Sequence, residues 1–387
     1  MSYQADAWVI EAGEVGRPGR ARLKRTRVTV ESIRDDEVLA APVCGCWEGN
    51  TEHALARTPI DICRARREPQ VVLGNAGVVR VLETGKAVTQ VRTGQLAMMF
   101  PSGETDAYGY TVKALGYEAP GQMGCMATLM KLRGAQLIPV PENSRHTPAQ
   151  WAAFSVRYVT AWANWRLASA VFRLQVPEEE CPTPQAWGWG GGTTLAELTL
   201  AKAQGWRAVM LSGSPHHLDE IQRAGLEAID RNTFGRLSHE PHRVETDLDH
   251  RHAYQQAETA FLAEVARRTE GAMVHVFLDY IGTPVHRATL RALARQGVLA
   301  TAGWKEGMEL TLLRARECIT RHQHIHTHFA RYQEGLDAVA YGEAMGWMPQ
   351  VDSRLYGFDE LPALADDYHR GATGYFPCFL VNAEEWT

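Results

Sequence analysis

The amino-acid sequence predicts an α/β protein in which a doubly wound parallel sheet is joined to a β-rich domain. Residues 1–110 contain short alternating segments, such as 27–30 and 95–100, separated by Gly, Pro, Asp and Asn. From Gln185 on, short apolar segments alternate with helical patterns, which is typical of a parallel sheet covered by helices. After Trp347 the pattern returns to that of the first segment. We therefore expect the β-rich domain at 1–155 and 347–387 and the doubly wound domain at 156–346.

The composition predicts a globular protein and argues against nucleic acid or a membrane as its binding partner. A chain of 387 residues with 45% hydrophobic and 22% charged residues is expected to fold as two globular domains. The net charge of −5 gives no basic footprint for nucleic acid, and no run reaches the ~20 apolar residues of a membrane span. Seven scattered cysteines and no secretory signal favour reduced thiols in the cytoplasm. The charged, His-rich interval 236–257 is expected to be a surface insertion.

A glycine-rich turn lies between a short apolar segment and a helical pattern. Its members are Gly188, Gly190, Gly191, Gly192, Thr193 and Thr194. Strand, turn and helix in this order bring backbone N–H groups and a helix N-terminus up to a pyrophosphate. The segment 188–193 matches the GxGxxG fingerprint except that Thr193 replaces the last glycine. The threonine side chain is expected to crowd the close contact between the helix and the strand. The sequence therefore predicts a dinucleotide site, the alternative being a glycine-rich loop without such a ligand.

The end of the next strand favours NADPH over NADH. The segment 208–211 runs into Ser212, Ser214 and His217, with no carboxylate at the tip to bind a ribose 2′-hydroxyl. Hydroxyls, backbone N–H groups and a histidine suit a 2′-phosphate, whereas the alternative is an ordinary polar loop. Later strands end at Gly282 and at Gly303-Trp304, which are expected to line the crevice for the nicotinamide.

Several short motifs carry a family resemblance. They are Val72-Leu-Gly with Ala76-Gly-Val-Val, Gly116-Tyr117-Glu118, Thr160-Ala-Trp, the insertion after Ile229-Asp-Arg-Asn232, and His328-Phe-Ala330. Together they resemble the medium-chain dehydrogenase/reductase superfamily, and most closely its crotonyl-CoA carboxylase/reductases and related enoyl-thioester reductases. The resemblance implies a GroES-like β-rich catalytic domain, a Rossmann cofactor domain with Thr160 among the cofactor contacts, and a homodimer or dimer of dimers.

The zinc ligands of that superfamily are not matched. Where its zinc-dependent members have Gly-His-Glu, this chain has Gly74-Asn75-Ala76, so we expect no metal. Hydride addition to an activated C=C needs only hydrogen-bond donors at the developing enolate oxygen. The pattern therefore favours reduction of a C=C over oxidation of an alcohol.

The resemblance also implies catalytic positions. Carboxylating members hold CO2 with a Phe-Glu pair, an Asn and a His, which correspond here to Tyr117, Glu118 and His328, with Glu48 and Asn50 as candidates for the Asn position. A carboxylate there disfavours carboxylation, because it repels a carboxylate product. Lys305 is a candidate contact to the substrate. For each of these residues ordinary packing or solvent exposure is the alternative.

The histidines before His328 suggest a second pattern. His322, His324, His326 and His328 alternate and would share one face of a strand. Neighbours on that face stand about 6.5–7 Å apart, which is wide for one metal ion. A metal site is therefore disfavoured, and an active-site role for His328 and structural hydrogen bonding stay open as alternatives.

The predicted function is NADPH-dependent reduction of the C=C of an α,β-unsaturated acyl thioester, on CoA or on an acyl carrier protein, with reductive carboxylation less favoured. Two alternatives stay open. One is a zinc-free quinone or enone oxidoreductase, whose substrates lack the phosphopantetheine arm. The other is a degenerate member that binds nucleotide without catalysis.

Overall fold

The computed structural model describes residues 2–14, 19–303, 305–307, 309 and 311–386, with the backbone alone at 385 and 386. It divides into two compact units. A β-rich unit comprises the chain up to Val159 and from Ala330 on, and a second unit comprises Thr160–Phe329. The sequence-based limits of 155 and 347 differ from these bounds. The helix after Ala330 lies in the β-rich unit because its Tyr332 donates a hydrogen bond to the Leu137 carbonyl, at 2.7 Å, and packs edge-on against Phe100.

The described residues form eighteen strands and ten α-helices. The strands are β1 (Ser2–Glu11), β2 (Lys24–Glu31), β3 (Glu37–Cys46), β4 (Gln70–Val72), β5 (Gly77–Thr84), β6 (Leu96–Met99), β7 (Ser102–Thr105), β8 (Thr111–Ala114), β9 (Met130–Arg133), β10 (Leu137–Pro139), β11 (Gln185–Trp189), β12 (Arg207–Ser212), β13 (Glu227–Asp230), β14 (Val274–Asp279), β15 (Leu293–Thr301), β16 (His324–Thr327), β17 (Leu355–Tyr356) and β18 (Cys378–Leu380). The helices are α1 (Gly49–Ala56), α2 (Ile62–Arg66), α3 (Pro148–Gln175), α4 (Gly192–Ala203), α5 (Pro215–Arg223), α6 (Pro241–Thr246), α7 (Leu248–Arg268), α8 (Thr283–Ala292), α9 (Tyr332–Met345) and α10 (Leu361–His369).

The β-rich unit is organised around β3. This strand pairs with β5, β9 and β18, all antiparallel, inside a sheet of order β10–β6–β5–β3–β18–β17. A three-stranded sheet β2–β1–β4 and the β7–β8 hairpin complete the unit. Its apolar cluster includes Val38, Trp47, Val79 and Phe379, all fully buried. Phe379 comes from the chain's last strand, so the two ends of the chain build one core.

The second unit is built on a six-stranded parallel sheet. Its order is β13–β12–β11–β14–β15–β16, and every neighbouring pair is parallel. Helices α4, α5, α7 and α8 connect successive strands. The chain moves outward from β11 to β13 and then returns to β14 on the other side of β11. The order therefore reverses between β11 and β14, and ligands of such sheets bind outside the carboxyl ends of the strands at this switch point. The predicted α/β fold class is confirmed.

The interval 236–257 lies largely at the surface, as expected, with only His250, Tyr254 and Ala257 buried. It contains α6 and the first half of α7, a helix of 21 residues. The Asp247 side chain caps α7 by accepting the His250 N–H at 3.0 Å, and Tyr254 and Ala257 on this helix are buried. The charged composition of the interval thus predicted its exposure but not its helices, whose few buried residues attach it to the unit.

None of the helices in the described part of the chain is both long enough and apolar enough to span a membrane.

Candidate functional site

The glycine-rich turn presents an open helix N-terminus. Strand β11 extends through Trp189, so Gly188 lies inside the strand, and α4 begins at Gly192. Gly191 occupies the N-cap position, where no side chain accepts from the helix backbone, and a Cβ there would meet no atom within 4 Å. The first N–H groups of a helix lack partners within it and favour an anion. The turn therefore fits the pyrophosphate of a dinucleotide.

Thr194, rather than Thr193, fills the space beneath the turn. A Cβ at Gly188 would stand 2.6 Å from Thr194 Cγ2, and one at Gly190 would clash with Thr194 Oγ1. Thr194 is fully buried, whereas Thr193 is half-buried. The close helix–strand contact expected of Thr193 is thus made one residue later, because the helix starts at Gly192 and turns Thr194 toward the strand.

The tip of β12 carries a guanidinium that the sequence analysis missed. Ser212 and Ser214 lie there, with the Ser214 N–H donating to Ser212 Oγ at 3.3 Å. Gly213 lies against Arg231, since a Cβ on Gly213 would stand 3.0 Å from Arg231 Nε. Asn232 donates to the Gly213 carbonyl at 2.9 Å and fixes the turn. In the part of the chain that is described, no carboxylate pairs with Arg231. Two hydroxyls and an unpaired guanidinium suit a phosphate group.

A signal for Arg231 was present in the order of the strands. β12 and β13 are parallel and pair Ser212 with Asp230, so the residues that follow each strand lie side by side. His217 is half-buried on α5, with its ring 6.0 Å from that of the exposed His216.

Tyr280 forms the floor of the crevice at the switch point. It follows β14, and its side chain lies beside both glycine segments: a Cβ at Gly190 would stand 2.9 Å from Tyr280 Cβ, and one at Gly303 would stand 3.6 Å from Tyr280 Cδ1 in the ring. At Gly282 a Cβ would stand 2.5 Å from the Glu306 carbonyl oxygen. Gly282 therefore serves the close approach of two backbone segments. Thr160 is half-buried on α3.

Of the two predicted residues that directly follow Gly303, only Lys305 lies among the described residues. Lys305 is exposed, and its backbone N–H donates to the Ile281 carbonyl at 3.1 Å. Trp304 lies outside the described residues.

A buried polar network lies behind the crevice. Asn164 Nδ2 donates to Glu197 Oε1 at 2.8 Å, and the Tyr280 hydroxyl donates to the same oxygen at 3.2 Å. The His328 backbone N–H donates to Asn164 Oδ1 at 3.2 Å. Burial raises the pKa of Glu197 to about 8, against the lowering effect of its bonds to Asn164 and Tyr280. The one sequence signal for this network was a single acidic residue, Glu197, in the otherwise mostly apolar helix α4.

The histidine series does not form one strand face. β16 holds His324 and His326, whereas His322 lies before it with a left-handed φ of 50° and His328 follows it. His324 Nε2 lies 3.0 Å from Gln175 Oε1, and burial lowers the pKa of His326 to about 4. His328 is buried, with its ring 6.3 Å from that of His326. Among the described residues no group of three or more His, Cys, Asp or Glu is placed to hold a metal ion.

Three of the predicted catalytic residues come together in the β-rich unit. Burial raises the pKa of the Tyr117 hydroxyl, and the nearby carboxyls of Glu118 and Glu48 raise it further. Glu118 is half-buried and accepts the Ala114 N–H at 3.3 Å. Glu48 is only 6% exposed. Asn50 follows it in the first turn of α1 and is half-buried.

The surroundings of Glu48 include two residues that the sequence analysis did not assign. Burial raises the pKa of Glu48, while the Arg157 guanidinium and the Asn75 side chain act to lower it. Arg157 projects from α3 and is fixed by two contacts, to the Trp47 carbonyl at 2.6 Å and to Cys46 Sγ at 2.9 Å. The unit thus holds a buried acid next to a fixed cation.

The sequence matches no protein-family profile, and no curated protein is significantly similar to it. Solved structures match along nearly the whole chain. One is the crotonyl-CoA carboxylase/reductase AntE in complex with NADP, with 19% identity, a TM-score of 0.78, and coverage of 98% of this chain and 95% of that one. Another is the 2-octenoyl-CoA carboxylase reductase CINF in complex with NADP and 2-octenoyl-CoA, with 18% identity, a TM-score of 0.79, and coverage of 98% and 88%. The alcohol dehydrogenase TADH from Thermus sp. ATN1 matches at 15% identity, with a TM-score of 0.74 and coverage of 97% and 100%.

These matches define the class of fold. The chain has the two-domain fold of the medium-chain dehydrogenases and reductases, with a GroES-like β-rich part and a Rossmann part. Within that class its fold is shared with the crotonyl-CoA carboxylase/reductases, as the motifs predicted.

Proposed function

We propose that this protein reduces the C=C of an α,β-unsaturated acyl thioester with NADPH. The observation that carries the proposal is the full-length fold match to two carboxylase/reductases of enoyl-CoA thioesters, both solved with NADP. The sequence motifs had predicted the same function, and the fold comparison supports that prediction.

The second unit has suitable groups for the cofactor. The uncapped turn at Gly191 would hold the pyrophosphate, and Ser212, Ser214 and Arg231 would hold the 2′-phosphate. Tyr280 and Gly303 would line the nicotinamide end. When bound, NADPH supplies the hydride for the β-carbon of the substrate.

The β-rich unit has suitable groups for the developing enolate. Reduction at the β-carbon places negative charge on the thioester oxygen and leaves the α-carbon in need of a proton. The raised pKa of Tyr117 keeps its hydroxyl protonated at neutral pH, so it can donate a hydrogen bond. The raised pKa of Glu48 favours its acid form, which suits a proton donor.

We propose reduction without carboxylation as the main reaction. An ionised Glu48 would repel a carboxylate product, and a protonated Glu48 would compete with CO2 for the enolate by supplying a proton. Both forms of this side chain therefore oppose carboxylation. The carrier of the acyl group is CoA or an acyl carrier protein.

We further propose a zinc-independent cytoplasmic enzyme that assembles as a homodimer or a dimer of dimers. The cysteines carry no disulfide, which suits a reducing compartment. Strand β16 is one of the two outer strands of the parallel sheet and offers an edge to a second copy.

The test follows NADPH oxidation by absorbance with crotonyl-CoA and 2-octenoyl-CoA, with and without bicarbonate, and identifies the products by mass spectrometry. A simple enone and a quinone serve as substrates without the phosphopantetheine arm. The proposal expects saturated acyl-CoA as the main product in both buffers. Oxidation only with the enone or quinone would favour the alternative oxidoreductase. NADPH binding without any turnover would favour the non-catalytic member.

A further inference from the structure

Glu197 is a fully buried carboxyl to which no predicted role applies. It lies in the second turn of α4, among apolar neighbours such as Leu195 and Leu198. Its Oε1 accepts from Asn164 and Tyr280, while its Oε2 is buried without a hydrogen-bond partner among the described residues. No Lys, Arg or His of the described chain forms an ion pair with it.

Such a group is costly to keep. Burying a carboxylate without a cation is strongly unfavourable, and even as a neutral acid the side chain replaces apolar packing. An apolar residue at this position of α4 would pack against the same neighbours at no such cost. The carboxyl therefore requires an explanation beyond stability, and its two hydrogen-bond partners supply one.

Each partner leads to a different part of the candidate site. Asn164 uses its amide nitrogen for Glu197 and for the Tyr280 hydroxyl, and its amide oxygen for the backbone N–H of His328, at 3.2 Å. That bond fixes both the orientation of the amide and the point at which the chain leaves β16. Tyr280 uses its hydroxyl for Glu197 and its ring for the floor between Gly190 and Gly303.

We propose that Glu197 is a positioning residue that holds the backbone of His328, through Asn164, and the floor of the dinucleotide crevice, through Tyr280, in a single arrangement. The inference rests on the proposed function, because His328 and the crevice matter only if the protein binds and uses a dinucleotide. Glu197 itself touches neither substrate nor cofactor in this scheme. The groups that face it are Asn164 and Tyr280, of which only the tyrosine titrates.

The test compares Glu197→Ala with Glu197→Gln in the full chain. The alanine variant removes the acceptor of the buried Tyr280 hydroxyl and leaves Asn164 Nδ2 with that hydroxyl as its remaining partner. We therefore expect about a tenfold rise in the Kd for NADPH, a similar fall in kcat, and faster amide hydrogen exchange in the peptide containing His328. The glutamine variant keeps an acceptor oxygen for both donors, so all three quantities should stay within about twofold of wild type.

Two milder variants separate the branches and serve if the alanine variant does not fold. Asn164→Ala should lower kcat and speed exchange at His328 while leaving the Kd for NADPH nearly unchanged. Tyr280→Phe keeps the ring but removes its hydroxyl bonds to Glu197 and Asn164, while Asn164 Oδ1 still accepts from the His328 N–H. This variant should therefore mainly raise that Kd. If each variant changed both quantities equally, the two-branch arrangement would be wrong.

Glu258→Gln is the matched control. Glu258 is also a buried acid of the second unit, but it bonds Tyr254 and the arginines of α8 instead of the network. It should lower the melting temperature without changing the Kd, kcat or exchange at His328. The inference is overturned if Glu197→Ala behaves like this control.

Failure of the proposed function has a different signature. A wild-type protein that does not oxidise NADPH with any enoyl-CoA would contradict that function, yet hydrogen exchange at His328 and NADPH binding, read from tryptophan fluorescence, would still decide the role of Glu197.

Discussion

Arg231 lies against Gly213 so closely that a Cβ on the glycine would stand 3.0 Å from the guanidinium Nε. The contact joins the turns after two neighbouring parallel strands, β12 and β13. It places a positive charge beside Ser212 and Ser214, where an adenosine 2′-phosphate is expected.

Arg231→Ala should therefore reduce the preference for NADPH. Loss of a charge-assisted bond to phosphate is expected to raise the Kd for NADPH about tenfold or more and to leave the weaker binding of NADH unchanged. Titration of both nucleotides by fluorescence measures this. Arg207→Ala, at the opposite end of β12 and close to Glu227, is the control and should change neither Kd. An equal loss for both nucleotides would remove Arg231 from the 2′-phosphate site.

Glu197→Gln should make the protein more stable at alkaline pH. The Glu197 pKa rises from 4.5 in the unfolded chain to about 8 in the folded protein. Between these values the unfolded chain has released the proton while the folded protein keeps it, so the wild-type free energy of unfolding falls by up to about 1.4 kcal/mol per pH unit. The contribution is fully present below pH 4.5 and is lost by pH 8.

Urea unfolding of both proteins from pH 4.5 to 9 measures the difference. The stability gain of the glutamine variant should be near zero at the acid end and grow to on the order of a few kcal/mol near pH 8. Glu264→Gln is a control of opposite sign, because the bond to Arg267 lowers the Glu264 pKa and favours the folded protein once the carboxyl is ionised. Parallel curves for wild type and Glu197→Gln would contradict the expectation.

Two glycines of the same turn should respond differently to alanine. Gly191→Ala is expected to unfold only slightly below the wild-type temperature, since its Cβ would meet no atom within 4 Å but alanine is a poorer N-cap than glycine. It should bind NADPH more weakly, because it adds a methyl group at the N-cap of α4, where the pyrophosphate is proposed to lie. Gly188→Ala should lose about 1–3 kcal/mol of stability through overpacking against Thr194 and Leu278. Adding Thr194→Ser, which removes the clashing methyl group, should restore part of that loss. Thermal unfolding and NADPH titration of the variants check this, and normal NADPH affinity in Gly191→Ala would place the phosphates elsewhere.

Glu48→Gln should change the fate of the enolate. The amide cannot deliver a proton as an acid and carries no charge to repel a carboxylate, so slower reduction and a larger carboxylated fraction with bicarbonate are expected. Product masses with crotonyl-CoA measure that fraction. Glu52→Gln, on the same helix but bonded to Arg20 and His369, is the control. An unchanged product ratio in Glu48→Gln would remove Glu48 from the reaction.

The glycine turn was predictable because its chemistry is local. Strand, turn and helix follow one another in the chain, and the period of the pattern changes at the turn. Which residue of the helix faces the strand could not be predicted in the same way. The fingerprint indicated Thr193, whereas a helix that starts at Gly192 directs Thr194 toward the strand. The histidine series shows the same limit. The alternation of residue types predicted one strand face that includes His322, but the left-handed backbone of His322 places it outside the strand.

The acid network was not predictable because its members are distant in the chain. Asn164, Glu197 and Tyr280 come from a helix, a second helix and a strand end, and each looks like an ordinary polar residue in its own segment. Only the parallel order of the sheet brings them together. Arg231 is an intermediate case, because pairing β12 with β13 would have placed it beside Gly213.

The pairing of β18 with β3 sets an order of events during synthesis. Cys378 stands opposite Cys46, so the central strand of the β-rich unit waits for a partner that leaves the ribosome far later. The parallel-sheet unit is continuous in the chain and can finish folding first. Until the last strand arrives, β3 exposes an unpaired edge, and an unpaired edge strand favours aggregation of the nascent β-rich unit.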